Sequence, residues 1–115
     1  MKKRGVSAAT VRKLALAMPG VEEGTSYGTP AFRVKGKFFA RFWEDGETLV
    51  LKCGDDERDF RLKADRDAFF VTDHYKGYPA VLVRLPRVDL GSLTDVLEES
   101  WRFSAPASLR KTRPV

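Results

Sequence analysis

The sequence is poor in the residues that most enzymes use for catalysis or metal binding. Its 115 residues include one cysteine, Cys53, and one histidine, His74. One thiol cannot form an intramolecular disulfide, which indicates a reducing compartment and predicts a cytoplasmic protein. One cysteine and one histidine also fall short of the four ligands of a tetrahedral zinc site. We therefore expect no disulfide, no bound metal and no cofactor.

Membrane segments and catalytic motifs are also missing from the sequence. No apolar run approaches the length of a membrane span, and the basic start continues into an amphipathic pattern instead of a secretory signal. No Gly-x-Ser-x-Gly motif is present, and His74 has no nucleophile or acid at a useful spacing. The glycines at 20, 24 and 28 do not have the spacing of a phosphate-binding loop. We expect a protein that neither crosses a membrane nor catalyses a reaction.

The densest acidic cluster has a structural explanation. It consists of Asp55, Asp56, Glu57 and Asp59, at the start of a helix predicted over 55–64. Carboxylates stabilise a helix N-terminus through the helix dipole and through capping. The glycine and the closing glutamate of a calcium-binding loop are absent, so we assign this cluster to helix formation.

The composition predicts one folded domain over residues 1–115. The hydrophobic fraction is 43%, with eight phenylalanines and two tryptophans, which is sufficient for a packed core. The formal net charge is +5, but six of the 21 basic residues lie near the ends of the chain. The body therefore carries 15 basic and 16 acidic residues, and the basic character belongs to tails at 1–6 and 107–115. Such tails either add phosphate contacts or keep the ends soluble.

The hydrophobic pattern predicts alternating helices and short strands. Ser7 caps a first helix that Pro19-Gly20 ends, and Asp89 caps a last helix with Trp101 on its inner face. Strands are predicted over 22–27, 31–35, 37–43, 47–53, 68–72 and 80–85, with a turn at 28–30 and with Phe60 of the helix over 55–64 facing the core. Short links favour an antiparallel meander packed on one face by helices, an α+β sandwich.

The hairpin around Gly36 has two registers that can be compared by their side-chain faces. A two-residue loop pairs Arg33 with Phe38, whereas a three-residue loop over 35–37 pairs Val34 with Phe38. The second places five apolar residues on one face (Phe32, Val34, Phe38, Ala40, Phe42) and Arg33, Phe39, Arg41 and Trp43 on the other. A slip by one residue exchanges the faces, so the pattern favours the three-residue loop. Lys35 and Lys37 then lie at the tip.

Several blocks of the sequence resemble the MmcQ/YjbR family of small bacterial proteins. They include Met18-Pro19-Gly20-Val21-Glu22-Glu23, Tyr27-Gly28-Thr29-Pro30-Ala31-Phe32-Arg33-Val34, His74-Tyr75-Lys76-Gly77-Tyr78 and Glu99-Ser100-Trp101-Arg102. The resemblance covers about residues 8–111. It implies a fold like that of CyaY and a DNA-binding protein that uses protruding hairpins. The shared fold does not imply iron binding.

Two hypotheses of function remain. The resemblance implies weak, salt-dependent binding of double-stranded DNA through Arg33, Lys35, Lys37, Arg41 and Lys76, and cations on a hairpin suit phosphate contacts. On the residues alone, these cations also fit the solvated face of a half-exposed sheet. The alternative is a protein-interaction or small-ligand module that uses a cleft near Tyr27, Tyr75, Tyr78 and Trp101.

Overall fold

The chain folds into one antiparallel sheet with helices against it, as a computed structural model describes for residues 4–26, 28–75 and 77–112. The helices are α1 (Ala8–Leu16), α2 (Asp55–Ala64), α3 (Leu90–Ser104) and α4 (Ala107–Arg110). The strands are β1 (Val21–Ser26), β2 (Thr29–Val34), β3 (Lys37–Phe42), β4 (Thr48–Lys52), β5 (Phe69–Phe70) and β6 (Ala80–Arg84). A short 3-10 turn, Asp73–Tyr75, lies between β5 and β6.

The six strands have the order β1-β2-β3-β4-β6-β5, and neighbouring strands are antiparallel. Buried residues of α1 and α3 share one core with the sheet, and Leu62 of α2 and Leu109 of α4 pack against it. These contacts place the helices on the same side of the sheet. The predicted α+β sandwich is confirmed.

Local capping determines where the two main helices begin. The Ser7 hydroxyl accepts a hydrogen bond from the Thr10 amide at 3.1 Å, and the Asp89 carboxylate accepts one from the Ser92 amide at 2.8 Å. Both caps confirm the prediction, since each satisfies an amide that has no partner inside its helix. Trp101 of α3 is fully buried, and its indole Nε1 donates to the Pro19 carbonyl at 3.0 Å. That bond joins the end of the α1 segment to α3.

The turn between β3 and β4 is held by one carboxylate. Asp45 accepts hydrogen bonds of 2.9 Å from the Glu47 amide, the Thr48 amide and the Thr48 hydroxyl. Burial by itself would raise the pKa of the Asp45 carboxyl, but these bonds outweigh it and hold the pKa below its ordinary value of 3.8. The ionised side chain is therefore part of the turn.

The predicted register of the β2–β3 hairpin is wrong at its tip. Val34 pairs with Lys37 and Arg33 with Phe38, which is the two-residue loop. Lys35 and Gly36 have φ values of 51° and 81°, as the favoured two-residue turn with two positive φ values requires. A bulge then shifts the register, so that Phe32 pairs with Ala40. The bulge resolves the conflict of faces that excluded the two-residue loop.

The bulge exchanges the sheet faces that were predicted for Phe38 and Phe39. Phe39 is buried in the main core, whereas Phe38 is half-buried and lies on the opposite face. An extra residue on one strand changes which side chains face the core beyond it. Arg33, Arg41 and Trp43 keep the outer face that was predicted for them.

Other differences from the prediction are small. Phe60 is 61% exposed instead of facing the core, because Leu62 of the same helix packs inward and residues two apart are separated by about 200° around a helix. Pro30 belongs to β2 instead of the turn, and the strand predicted over 68–72 is limited to Phe69–Phe70. Within the described ranges, no helix is long and apolar enough to cross a bilayer.

Candidate functional site

The sheet face opposite the helices carries the candidate site. Val50, Ala80 and Leu82 point outward from β4 and β6 and form a second, small buried cluster. Trp43, Phe70 and Tyr75 are partly buried against it. The segment between β5 and β6 thus covers part of the outer face and leaves a cleft beside it.

The cleft has a volume of about 550 Å³. Its floor is the outer face of β3, β4 and β6, and its walls come from the end of β1, the turn after β3 and the segment before β6. The lining residues are Ser26, Phe38, Arg41, Glu44, Val50, Lys52, Tyr75, Tyr78, Pro79 and Ala80. The volume lies within the range of small-molecule sites, and the lining combines apolar side chains with a few charged ones.

Arg41 is the charged residue that is most deeply built into the cleft. It is only 7% exposed. Its Nη2 donates to the Tyr75 hydroxyl at 2.7 Å, and its Nη1 donates to the Thr29 hydroxyl at 3.3 Å. Glu44 lies 4.0 Å from Nη1, and the Glu44 side chain is 60% exposed. The guanidinium is therefore fixed in position by hydroxyl groups of neighbouring segments.

Aromatic rings surround this guanidinium. The Tyr75 ring is 5.7 Å from the Trp43 ring and meets the Tyr78 ring edge-to-face at 6.0 Å between centroids. The Arg41 Cζ lies 5.7 Å from the centroid of Trp43. Ring pairs and cation–ring contacts at these distances are favourable. They hold the segment with Tyr75 and Tyr78 against the open face.

Lys52 and Phe38 form another part of the wall. The Lys52 Nζ lies 5.8 Å from the centroid of the Phe38 ring, and both side chains are half-buried. Lys52 takes part in none of the ion pairs among the described residues. Because Arg41 and Lys52 line the cleft with Glu44 as the one acidic residue, its lining is net positive.

A separate basic surface lies at the hairpin tip. Lys35 and Lys37 are exposed there. The tip adjoins α4: a Cβ added at Gly20 would lie 2.7 Å from Leu109 Cδ1 and 3.7 Å from Lys35 Cε. Leu109 is followed directly by Arg110 and Lys111, which are exposed. We call Lys35, Lys37, Arg110 and Lys111 the basic end. No described ion pair involves any of the four.

The residues predicted to bind nucleic acid are divided between these two places. Lys35 and Lys37 belong to the basic end, and Arg41 belongs to the cleft, where its burial keeps it from a duplex backbone. Arg33 is half-buried on the outer face, and its Nη2 donates to the Thr25 carbonyl at 3.3 Å. Lys76 lies outside the described residues.

The residues predicted to form a ligand cleft are also divided. Tyr75 and Tyr78 do lie together in the cleft. Trp101 does not, because it is buried in the core on the helix side of the sheet, and its place in the predicted cleft is corrected. Tyr27 and the side chain of His74 lie outside what the structure describes.

Sequence reasoning missed most of the cleft lining, including Phe38, Val50, Lys52 and Ala80. One signal was present. Leu49-Val50-Leu51 is a continuous apolar run, which is typical of a strand that is covered on both faces. Val50 and Leu51 are both fully buried, so the run did indicate a cover over the outer face. The position of Phe38 could not be read in this way, because it depends on the bulge.

The remaining reactive groups have structural roles. Cys53 is buried, and desolvation raises the pKa of its thiol to about 12, so the reactive thiolate is disfavoured. The acidic cluster lies in the first turns of α2 as predicted. The described part of the chain contains no group of three or more histidine, cysteine or acidic side chains that could hold a metal ion.

The class of protein is a small antiparallel α+β sandwich with a cleft on its open face. The YjbR family model matches residues 16–103, so the chain belongs to the YjbR family. Uncharacterized proteins of Mycobacterium bovis (Mb2600) and Mycobacterium tuberculosis (Rv2570) are 37% identical over 65 residues, which are 56% of this chain. The chain spans about half the length of these relatives, since the match covers 50% of each.

A solved structure has the same fold. The crystal structure of Deinococcus radiodurans protein DR2400, assigned to the domain family DUF419, superimposes with a TM-score of 0.77. The superposition covers 97% of this chain and 91% of that chain at 18% sequence identity. At this identity the likeness establishes the fold alone.

Proposed function

We propose that this protein is a non-catalytic, cytoplasmic DNA-binding protein that holds the phosphate backbone of a duplex at its basic end. The observation that carries the proposal is the junction of two basic segments. Lys35 of the hairpin lies near Leu109 of α4, and Arg110 and Lys111, which follow Leu109, are brought to the same end of the molecule. Exposed cations that are not engaged by carboxylates can displace the counterions of a duplex.

The backbone at Lys35 supports the same proposal. Its φ of 51° lies in the left-handed region, where asparagine or glycine is less strained than lysine. Gly36, next in the turn, follows the preference for glycine or asparagine at positive φ, and Lys35 does not. Local rules are most often broken at functional positions. A positive charge at the extreme of the hairpin is a functional reason for the lysine.

Fluorescence anisotropy with a labelled duplex of about 20 base pairs tests the proposal. The K35Q/K37Q double variant removes two charges from the basic end. We expect weaker binding and a slope of log K against log salt that is smaller by nearly 2, since each lost phosphate contact removes about 0.9. The matched control is K63Q/R66Q, which removes two exposed charges from the α2 region.

The proposal is wrong if the control loses as much affinity as K35Q/K37Q, because the effect would then follow net charge and not position. It is also wrong if the wild-type chain does not bind the duplex at low salt. A third variant, K111Q, checks the contribution of α4. It should lower the affinity in the K35Q/K37Q background and leave the thermal stability unchanged.

A further inference from the structure

The cleft on the open face differs in chemistry from the basic end. Its cations are buried or half-buried and stand among aromatic rings, whereas those of the basic end are exposed. A phosphate backbone needs accessible cations, while a small molecule is bound by a few fixed polar groups in an apolar enclosure. The cleft therefore suits a ligand of its own.

We propose that this cleft binds a small molecule with a planar aromatic body and one anionic group, a carboxylate or a phosphate. The aromatic body would lie over Val50 and Ala80, between Phe38 and the Tyr75–Tyr78 pair. The anionic group would meet Arg41, with Lys52 as the second cation. This assignment is independent of the proposed DNA binding, because it uses other residues on another surface.

The state of Arg41 is the main argument for an anion. Arg41 lines the cleft, and its guanidinium is held there in a fixed orientation. Here the hydroxyl groups of Tyr75 and Thr29 orient the guanidinium, and the carboxylate of Glu44 is 4.0 Å away on an exposed side chain. The planar fork of arginine binds carboxylate and phosphate groups in particular. A ligand anion would therefore find a cation that is already held in place.

The remaining lining argues for a flat apolar body. Val50 and Ala80 line the cleft floor, and this part of the floor presents no polar side chain. Tyr78 is 59% exposed beside this floor, and the ring of Phe38 lies next to Lys52. Exposed rings around an apolar floor provide stacking and edge contacts for an aromatic ligand. The volume of about 550 Å³ accommodates one drug-sized molecule.

Two anionic probes and their neutral counterparts test this inference. They are 2-naphthoate with 2-naphthalenemethanol, and adenosine 5′-monophosphate with adenosine. We expect saturable binding of at least one anion by titration calorimetry, with binding at least about tenfold weaker for its neutral counterpart. The two pairs distinguish a carboxylate ligand from a nucleotide. Amide NMR shifts should change at Phe38, Val50, Lys52 and Tyr78.

Two variants separate the charge from the apolar contacts. R41K keeps the charge and removes the planar fork. K52Q removes one charge at a half-buried position, where a substitution disturbs folding less than at the buried Arg41. Each variant should bind the anion about tenfold more weakly, and its affinity for the neutral counterpart should be nearly unchanged. K63Q, on the exposed surface of α2, is the control and should change neither.

Three results would overturn the inference. The first is no saturable binding of either anion at millimolar concentration. The second is equal affinity for the anion and its neutral counterpart. The third is a set of NMR shifts centred on Lys35 and Lys37, which would assign the anion to the basic end. Loss of duplex binding in K35Q/K37Q with normal 2-naphthoate binding would show that the two surfaces act separately.

Discussion

The two faces of this sheet are made from the same strands but are completed in different ways. On the inner face, α1 and α3 bury 22 residues in one continuous core. On the outer face, the second hydrophobic cluster of the described residues has three buried members, and its cover is the segment that carries Tyr75 and Tyr78. Helices pack densely and exclude water, while a short segment covers part of a face and leaves space beside it.

This difference explains where each kind of chemistry is found. The inner face holds a thiol whose ionisation is suppressed and a tryptophan whose indole is bonded to a carbonyl. The outer face holds a buried guanidinium, oriented by hydroxyl groups, next to a cleft. A sheet face that is fully covered by helices contributes only to stability. A face that is partly covered keeps fixed polar groups that a ligand can reach.

The largest difference between the faces should appear in thiol reactivity. The pKa of Cys53, about 12 compared with an ordinary 9.0, makes its thiolate roughly a thousandfold rarer at pH 8 than that of an unperturbed thiol. Native Cys53 should therefore react very slowly with DTNB. The matched probe is Tyr78→Cys with Cys53→Ala, which places the thiol on the cleft wall at a position that is 59% exposed, and it should react far faster. Equal rates for the two thiols would mean that the inner face is not closed.

Core truncation should give the next largest difference. Leu51 points into the inner core and Leu82 into the outer cluster, and they are 0% and 1% exposed. Leu51→Ala should lower the free energy of unfolding by about 4 kcal/mol, and Leu82→Ala by about 2 kcal/mol. The inner cavity is enclosed by helices, whereas the outer site adjoins Val50 and Ala80, which line the cleft, so that water from the cleft can reach it.

Urea unfolding of both variants measures this difference, and Phe103→Ala is the control. Phe103 lies on α3 but is 49% exposed, so its truncation should cost less than about 1 kcal/mol. If Leu82→Ala were as costly as Leu51→Ala, the outer cluster would be a second closed core, and the argument for an adaptable cleft would fail.

Much of the fold could be predicted from the sequence, because its signals are local. The caps Ser7 and Asp89, the period of α3 and the turn at Asp45 each act within a few residues. The strand order follows from short links, except for the position of β6 beside β4. Phe60 was placed wrongly, because its helix packs through Leu62 and a single apolar residue does not define a buried face.

The candidate site was harder to predict, because it depends on one irregularity. The bulge opposite the step from Phe32 to Arg33 sends Phe38 to the cleft and Phe39 to the core. Alternation alone cannot show where an extra residue enters a strand. Trp101 was predicted both on the inner face of the last helix and in the ligand cleft, and its burial in the main core confirms only the first. Which side of the sheet an aromatic residue faces is a property of packing.

The smallest effect concerns the hairpin tip, where β2 is joined to β3. Lys35→Asn places the residue that a turn with positive φ prefers, and it should raise the free energy of unfolding by about 0.5 kcal/mol. The same change removes a charge from the basic end, so duplex affinity should fall. Lys37→Asn is the matched control: it removes the same charge from a strand position, without a gain in stability. If stability rises and duplex affinity falls at Lys35 but not at Lys37, Lys35 is a position where the charge serves binding and lowers stability. A Lys35→Asn variant that gains stability and retains full duplex affinity would leave the strained lysine without a role in binding.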